Sequence, residues 1–283
     1  MHQELHLLPV KDKLQVALWQ ITATVSQANK HIFLTHGTLS NKKVMLGLAD
    51  CLTQKGYTCW LLEWRNHGSS PKTKSKKYSF EDLAKEDFKT ALDFLIEQQG
   101  ITTFDCITHS GGGILLTLFL IHFPAYQQAI KSIVLFACQS FGAVTSRTKY
   151  WQIKLGKYGS YLLGGLPARL MASEESEPHF FMNQWYDWNL TGNFLAKDGT
   201  DYRQQMSKIN LPILAIAGGG DHFIAPPAGC QAFLEAFAND QNQFLVASKA
   251  NGYQEDYTHS RVLHSRSASV EIYPLVLAWL ERY

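Results

Sequence analysis

The sequence predicts an α/β fold: a mainly parallel, eight-stranded sheet with helices on both faces and one long helical insert. Three observations predict it. Apolar strand-like runs alternate with stretches of helical periodicity, as chains with a covered parallel sheet do. The stretch 104–123 passes from an apolar strand through one serine and three glycines into an apolar helix. About seventy residues, 139–210, then interrupt the alternation.

The elements follow in order. Residues 4–8 and 14–21 read as two strands joined by the polar turn Lys11-Asp12-Lys13. The run 31–35 is a buried strand that leads into His36-Gly37-Thr38. Val44, Leu48, Cys51 and Leu52 recur at helical spacing across 41–55, and Gly56 stops that helix. Residues 57–62 form the next buried strand, and a Lys-rich loop covers 71–77. Ser79 opens a long helix to about residue 98, with Glu81 and Asp82 in its first turn, where the helix dipole favours acids. After the serine turn and its helix, strands follow at 132–137, 211–217 and 244–247. A closing helix over 267–279 is expected to bend near Pro274. The insert carries twelve aromatic side chains that make it too apolar for a disordered linker. It is expected to be a helical cap, with 1–138 and 211–283 forming the core.

Composition narrows the function. With 46% hydrophobic residues there is enough material for a sizeable core, and 26 basic against 24 acidic residues argue against bulk nucleic-acid binding. The cysteines lack metal-type spacing, and Cys51, Cys59, Cys106 and Cys138 lie in apolar segments, as reduced core cysteines do. There is no secretory-type leader and no run of membrane-spanning length, so the default expectation is a cytoplasmic protein.

Thr108-His109-Ser110-Gly111-Gly112 comes close to the G-x-S-x-G turn that lifts a serine hydroxyl off the end of a strand, with threonine in place of the first glycine. A plain Gly-rich, phosphate-binding turn is the competing reading. Serine is a poor nucleophile until a base takes its proton and a third group orients that base. Asp221 follows the strand at 211–217 directly, after three glycines, and is the candidate acid. His259, in a polar loop after the last strand, is the candidate base, with His264 one helical turn later as its competitor. His222 reads as a local loop residue and His36 as part of another loop. An oxyanion needs two fixed N–H donors. Gly111 supplies one, and Thr38 or Leu39 the other.

These residues resemble an α/β-hydrolase of the serine esterase/lipase-like kind. His36-Gly37 matches the oxyanion loop. Glu63-Trp64-Arg65-Asn66-His67-Gly68-Ser69 is similar to the family's D-x-R-G-H-G-x-S. The serine turn, Gly219-x-Asp221 with Pro226, and the ending from His259 to Trp279 complete the pattern. The resemblance implies a Ser110–His259–Asp221 triad with Thr38 and Gly111 as oxyanion hole, and makes Arg65 and His67 structural. It implies hydrolysis of a small-molecule carboxylic ester, without metal or organic cofactor. The aromatic insert suggests an apolar acyl or aromatic part to that ester, and core packing of the cap accounts for the same rings equally well. Rival readings are an acyltransferase, thioesterase or peptidase on the same triad, and a non-catalytic binding protein of the same fold. Lys72, Lys74, Lys76 and Lys77 read first as a solvated face, and second as an attraction for an anionic substrate such as an acyl thioester.

Overall fold

The computed structural model describes residues 1–23, 30–73 and 77–283. Lys74 and Lys76 of the lysine loop lie outside the described residues. A hairpin, β1 (His2–Pro9) and β2 (Gln15–Thr22), opens the chain. Then come β3 (His31–Thr35), α1 (Lys43–Gln54) and β4 (Thr58–Glu63). The helical run over 80–98 (α2) alternates α turns with wider π turns. Ser79 caps it: its Oγ accepts from Asp82 N–H, and the Asp82 carboxylate accepts from Ser79 N–H. Next are β5 (Phe104–His109), α3 (Gly111–His122) and β6 (Ile130–Phe136).

The insert carries α4 (Arg147–Leu162), a two-stranded ribbon of β7 (Gly165–Leu166) and β8 (Glu177–Pro178), the short α5 (Ala168–Met171), α6 (His179–Thr191) and α7 (Tyr202–Met206). Strand β9 (Ile213–Gly218), α8 (Pro227–Leu234) and β10 (Gln243–Ala247) follow. The closing helix is broken at Ile272 into α9 (Arg266–Glu271) and α10 (Tyr273–Arg282), because Pro274 has no N–H to continue the ladder. Among the described residues no helix is long and apolar enough to cross a membrane.

The main sheet has the order β1-β2-β4-β3-β5-β6-β9-β10. The hairpin pairs antiparallel, and every pairing from β4/β3 to β9/β10 is parallel. Side chains alternate along each strand and so build two cores. Phe33, Trp60 and Leu62 point into one, with Phe80 and Phe88 of α2 and Phe119 of α3. Ile32, Leu34, Cys59 and Leu61 point into the other, with Leu48 of α1 and Val276 of α10. The insert's aromatic residues divide. Phe141, Phe181, Trp185, Tyr186, Trp188, Phe194 and Tyr202 are buried packing residues, whereas Trp151, Tyr158, Tyr161 and Phe180 are exposed.

At β5 and α3 the packing leaves no room for side chains. A Cβ on Gly112 would lie 2.4 Å from the His36 carbonyl oxygen, and one on Gly113 2.5 Å from Cys138 Sγ. Gly113 also explains why Thr108 is tolerated: the threonine Oγ1 lies 3.1 Å from where a Gly113 Cβ would be. Gly112→Ala should therefore cost about 2–4 kcal/mol, as overpacking and backbone displacement do together, read as a lowered denaturation midpoint with an unchanged denaturant slope.

Candidate active site

Four loops at the C-terminal ends of the parallel strands converge. After β5, Ser110 takes φ 51° and ψ −121°, a strained state for a residue with a Cβ. Its N–H donates to the Phe136 carbonyl (2.8 Å) and its carbonyl accepts from Gly113 N–H (2.9 Å). The backbone is thus tied on both sides of the turn.

After β9, the glycines let two loops touch. A Cβ on Gly218 would stand 2.3 Å from the Tyr257 carbonyl oxygen, one on Gly219 2.4 Å from Ser248 Cβ, and one on Gly220 2.5 Å from the Asp256 carbonyl oxygen. That approach brings Asp221 to the His259 loop. His259 Nδ1–H donates to Asp221 Oδ2 at 2.6 Å, and Ser110 Oγ–H donates to His259 Nε2 at 2.9 Å. Asp221 also accepts from Ile224 and Ala225 N–H, both at 3.1 Å. Burial pushes its pKa up, but the hydrogen bonds from His259 and these backbone groups more than offset that and hold it below the usual carboxylate range. His222 and His264 are exposed.

Thr38 stands beside the serine turn: a Cβ on Gly111 would lie 3.3 Å from Thr38 N and 2.8 Å from Thr38 Cγ2. Leu39, the alternative donor, is already engaged, because its N–H donates to Glu177 Oε1 at 2.9 Å. His36 stacks on Trp64 at 4.4 Å, and its Nδ1–H donates to the Gly37 carbonyl. Burial and the neighbouring His67 keep His36 neutral, far below its ordinary pKa.

Two contributors escaped the sequence reading. His109 precedes the serine, and its Nε2–H donates to the His259 carbonyl at 3.0 Å, tying β5 to the His259 loop. Burial, reinforced by His259, lowers its pKa to about 3, so it donates as a neutral ring. A histidine inside a serine turn was the available signal. The second is Glu177 of the insert, fully buried, which had no sequence signal because its partners lie more than a hundred residues away.

Glu177 Oε1 also accepts from His67 Nε2–H at 2.9 Å, and His67 Nδ1–H donates to the Arg65 carbonyl at 3.0 Å. Both ring nitrogens face acceptors, which makes His67 an imidazolium. Burial opposes that charge, yet Glu177 outweighs it and the pKa is raised. Glu175 accepts from Asn41 Nδ2–H, Gly68 N–H and Lys72, and Glu174 pairs with Lys43. Arg65 is held by buried Asp87 and by Glu86, and Asn66 takes φ 64°, the left-handed state that asparagine tolerates. Glu174, Glu175 and Glu177 line a cleft of about 340 Å³ with Tyr78, Leu163 and Leu166, and Ser110 is not among its lining residues.

The fold and this constellation define an α/β-hydrolase. The chain belongs to the serine aminopeptidase S33 family, whose model matches residues 26–250. No curated protein matches it. Among solved structures it is similar to DcsB, solved with a substrate analogue (TM-score 0.72, 15% identity, 99% of each chain covered). It is also similar to an esterase from Pyrococcus furiosus (0.64, 18%, 100% of this chain and 93% of that one). A third is a monoacylglycerol lipase from Paleococcus ferrophilus (0.64, 17%, 93% and 98%). At these identities the likeness speaks for the fold.

Removing the carboxylate with Glu177→Ala strands a buried imidazolium and should cost about 3–5 kcal/mol of stability. The ion pair is linked to pH with a definite sign. A raised folded pKa means that His67 stabilises fully below the unfolded imidazole value of about 6.5, and that this is lost as pH rises through the folded value. The melting-temperature gap between the unaltered chain and Glu177→Gln should therefore be wider near pH 6 than near pH 9.

Proposed function

We propose that this protein is a serine hydrolase that cleaves carboxylic esters with an apolar acyl or aromatic part. The observation that carries the reading is the unbroken line from Ser110 Oγ through His259 to Asp221, at 2.9 Å and 2.6 Å. Ser110 Oγ attacks the carbonyl carbon while His259 Nε2 takes its proton. Thr38 and Gly111 N–H groups receive the oxyanion. The tetrahedral adduct collapses, His259 returns the proton to the leaving alcohol, and an acyl-serine remains. Water then attacks the acyl carbon, His259 takes a proton from it, and the acid and free serine are released. Asp221 keeps the Nδ1–H tautomer throughout, and its low pKa keeps it charged for that task. Residues 139–210 act as a cap, and Glu177 within it holds Leu39, beside the oxyanion donor Thr38.

The family's description favours a second reading, an aminopeptidase on the same triad. A panel of aryl esters of increasing acyl length, acyl thioesters and aminoacyl arylamides separates the two. The first reading expects kcat/KM to be highest on the esters, and the second on the arylamides.

A fluorophosphonate probe should label the unaltered chain and leave Ser110→Ala unlabelled. Absence of labelling in the unaltered, folded chain would return the protein to the binding-module reading. Asp221→Asn should lower kcat by about 10³–10⁴-fold with little change in KM, since it removes orientation of the base and not substrate contact.

A further inference from the structure

A surface helix ordinarily turns its apolar stripe inward. Helix α4 does the reverse. Trp151, Leu155, Tyr158 and Leu162 follow the i, i+4, i+7, i+11 spacing of one face and are 55%, 66%, 58% and 82% exposed. The opposite face carries Ile153 and Ser160, both buried. At about 100° per residue the two faces are diametrically opposed.

The helix sits where this face matters. At its start, Lys149 Nζ lies 4.7 Å from the centre of the Phe223 ring, two residues beyond Asp221. At its end the chain enters β7, which pairs with β8, the strand that carries Glu177 to the oxyanion loop. Over a length of about 24 Å, α4 thus runs from the Asp221 loop toward the ribbon that carries Glu177.

Charge indicates what the face meets. Residues 139–173 contain five basic side chains and no acidic one. Lys149 and Lys157 are committed to Phe223 and Asp187. Arg147 and Lys154 border the apolar stripe, with Lys154 Nζ 4.9 Å from the centre of the Trp151 ring. The acids that follow, Glu174, Glu175 and Glu177, all turn toward the core motifs and are paired there. Tryptophan, tyrosine and leucine on one face with cations along its border is the make-up of a helix that lies in a lipid–water interface. A second copy set against the same face would bring these cations onto their own kind.

We propose that the outward face of α4 docks on an anionic phospholipid surface. Trp151, Leu155, Tyr158 and Leu162 enter the boundary between headgroups and acyl chains, and Arg147 and Lys154 meet lipid phosphates. The docking stands apart from the chemistry. Its consequence, that the ester is drawn from the lipid phase, rests on the serine-hydrolase reading above.

The test is flotation of the full chain, as Ser110→Ala so that hydrolysis plays no part, with phosphatidylcholine vesicles with and without phosphatidylglycerol. Binding should require phosphatidylglycerol and weaken with salt. It should fall at least about tenfold in Trp151→Ser/Leu155→Ser/Leu162→Ser and in Arg147→Glu/Lys154→Glu. In the Ser110 background the triple variant should hydrolyse a short, water-soluble ester as the unaltered chain does, which also shows that it folds. The proposal is overturned if the chain ignores both vesicles, if it binds them equally, or if the folded triple variant still binds. It is equally overturned if the chain instead forms a dimer that the triple variant abolishes, which would assign the face to a second copy. Fluorophosphonate labelling is scored separately, so vesicle binding without labelling rejects the chemistry alone, and labelling without binding rejects the docking alone.

Discussion

Ser110 sits at φ 51° and ψ −121°, a state that a residue bearing a Cβ leaves unless its neighbours hold it there. Three kinds of contact hold it. The Phe136 carbonyl takes its N–H, Gly113 returns a bond to its carbonyl, and the glycines behind it let the β3 loop close to van der Waals contact. The strain has a geometric use: it lifts the hydroxyl off the end of β5 toward the loops that follow β9 and β10. Everything else at the site is arranged around that fixed oxygen.

The same logic of close backbone approach recurs at Asp221. Gly218, Gly219 and Gly220 touch the backbone or Cβ atoms of the strand-end loops at 248 and 256–257, so Asp221 can reach a ring 38 positions later in the chain. His109 adds a strut from the serine's own strand to the carbonyl of His259. Ser110, Asp221 and His259 are thereby supported by backbone contacts as well as by the side-chain bonds that join them.

Around residues 174–177, in its middle, the insert is tied to the core by charge. Glu174, Glu175 and Glu177 each meet a cation of the core, and Glu177 combines a buried imidazolium with the Leu39 N–H. A buried ion pair is weak evidence of net stability, but it fixes register because either partner alone is costly. The consequence is that the position of the loop beside Ser110 depends on a residue of the insert. An apolar seam would have allowed that segment to slide.

Much of this was legible in the sequence, for local reasons. Strands 31–35 and 57–62 are continuous apolar runs, and a strand buried on both faces has to be one. Ser79, with Glu81 and Asp82 behind it, announced the start of α2 because acids in a helix's first turn act on its dipole over only a few residues. Ser110 and Asp221 could be picked out as candidates because each stands just past a strand beside glycines, and His259 because it lies in a polar loop after the last strand and fits the ending that resembles the family's. The exposed face of α4 was not legible. Its aromatic residues were read together with those of α6, since apolar side chains in a helical pattern look the same whether they pack or face outward.

By itself, then, the sequence determined the order of strands and helices, the serine turn and the small set of groups able to do chemistry, because hydrophobic period, caps and glycine spacing act over a few residues. Only the tertiary structure decided that Leu39 N–H belongs to Glu177, that His67 is charged while His36 is neutral, and which face of α4 is left outside. Those outcomes depend on desolvation and on partners more than a hundred residues apart, and neither is encoded in any short stretch of chain.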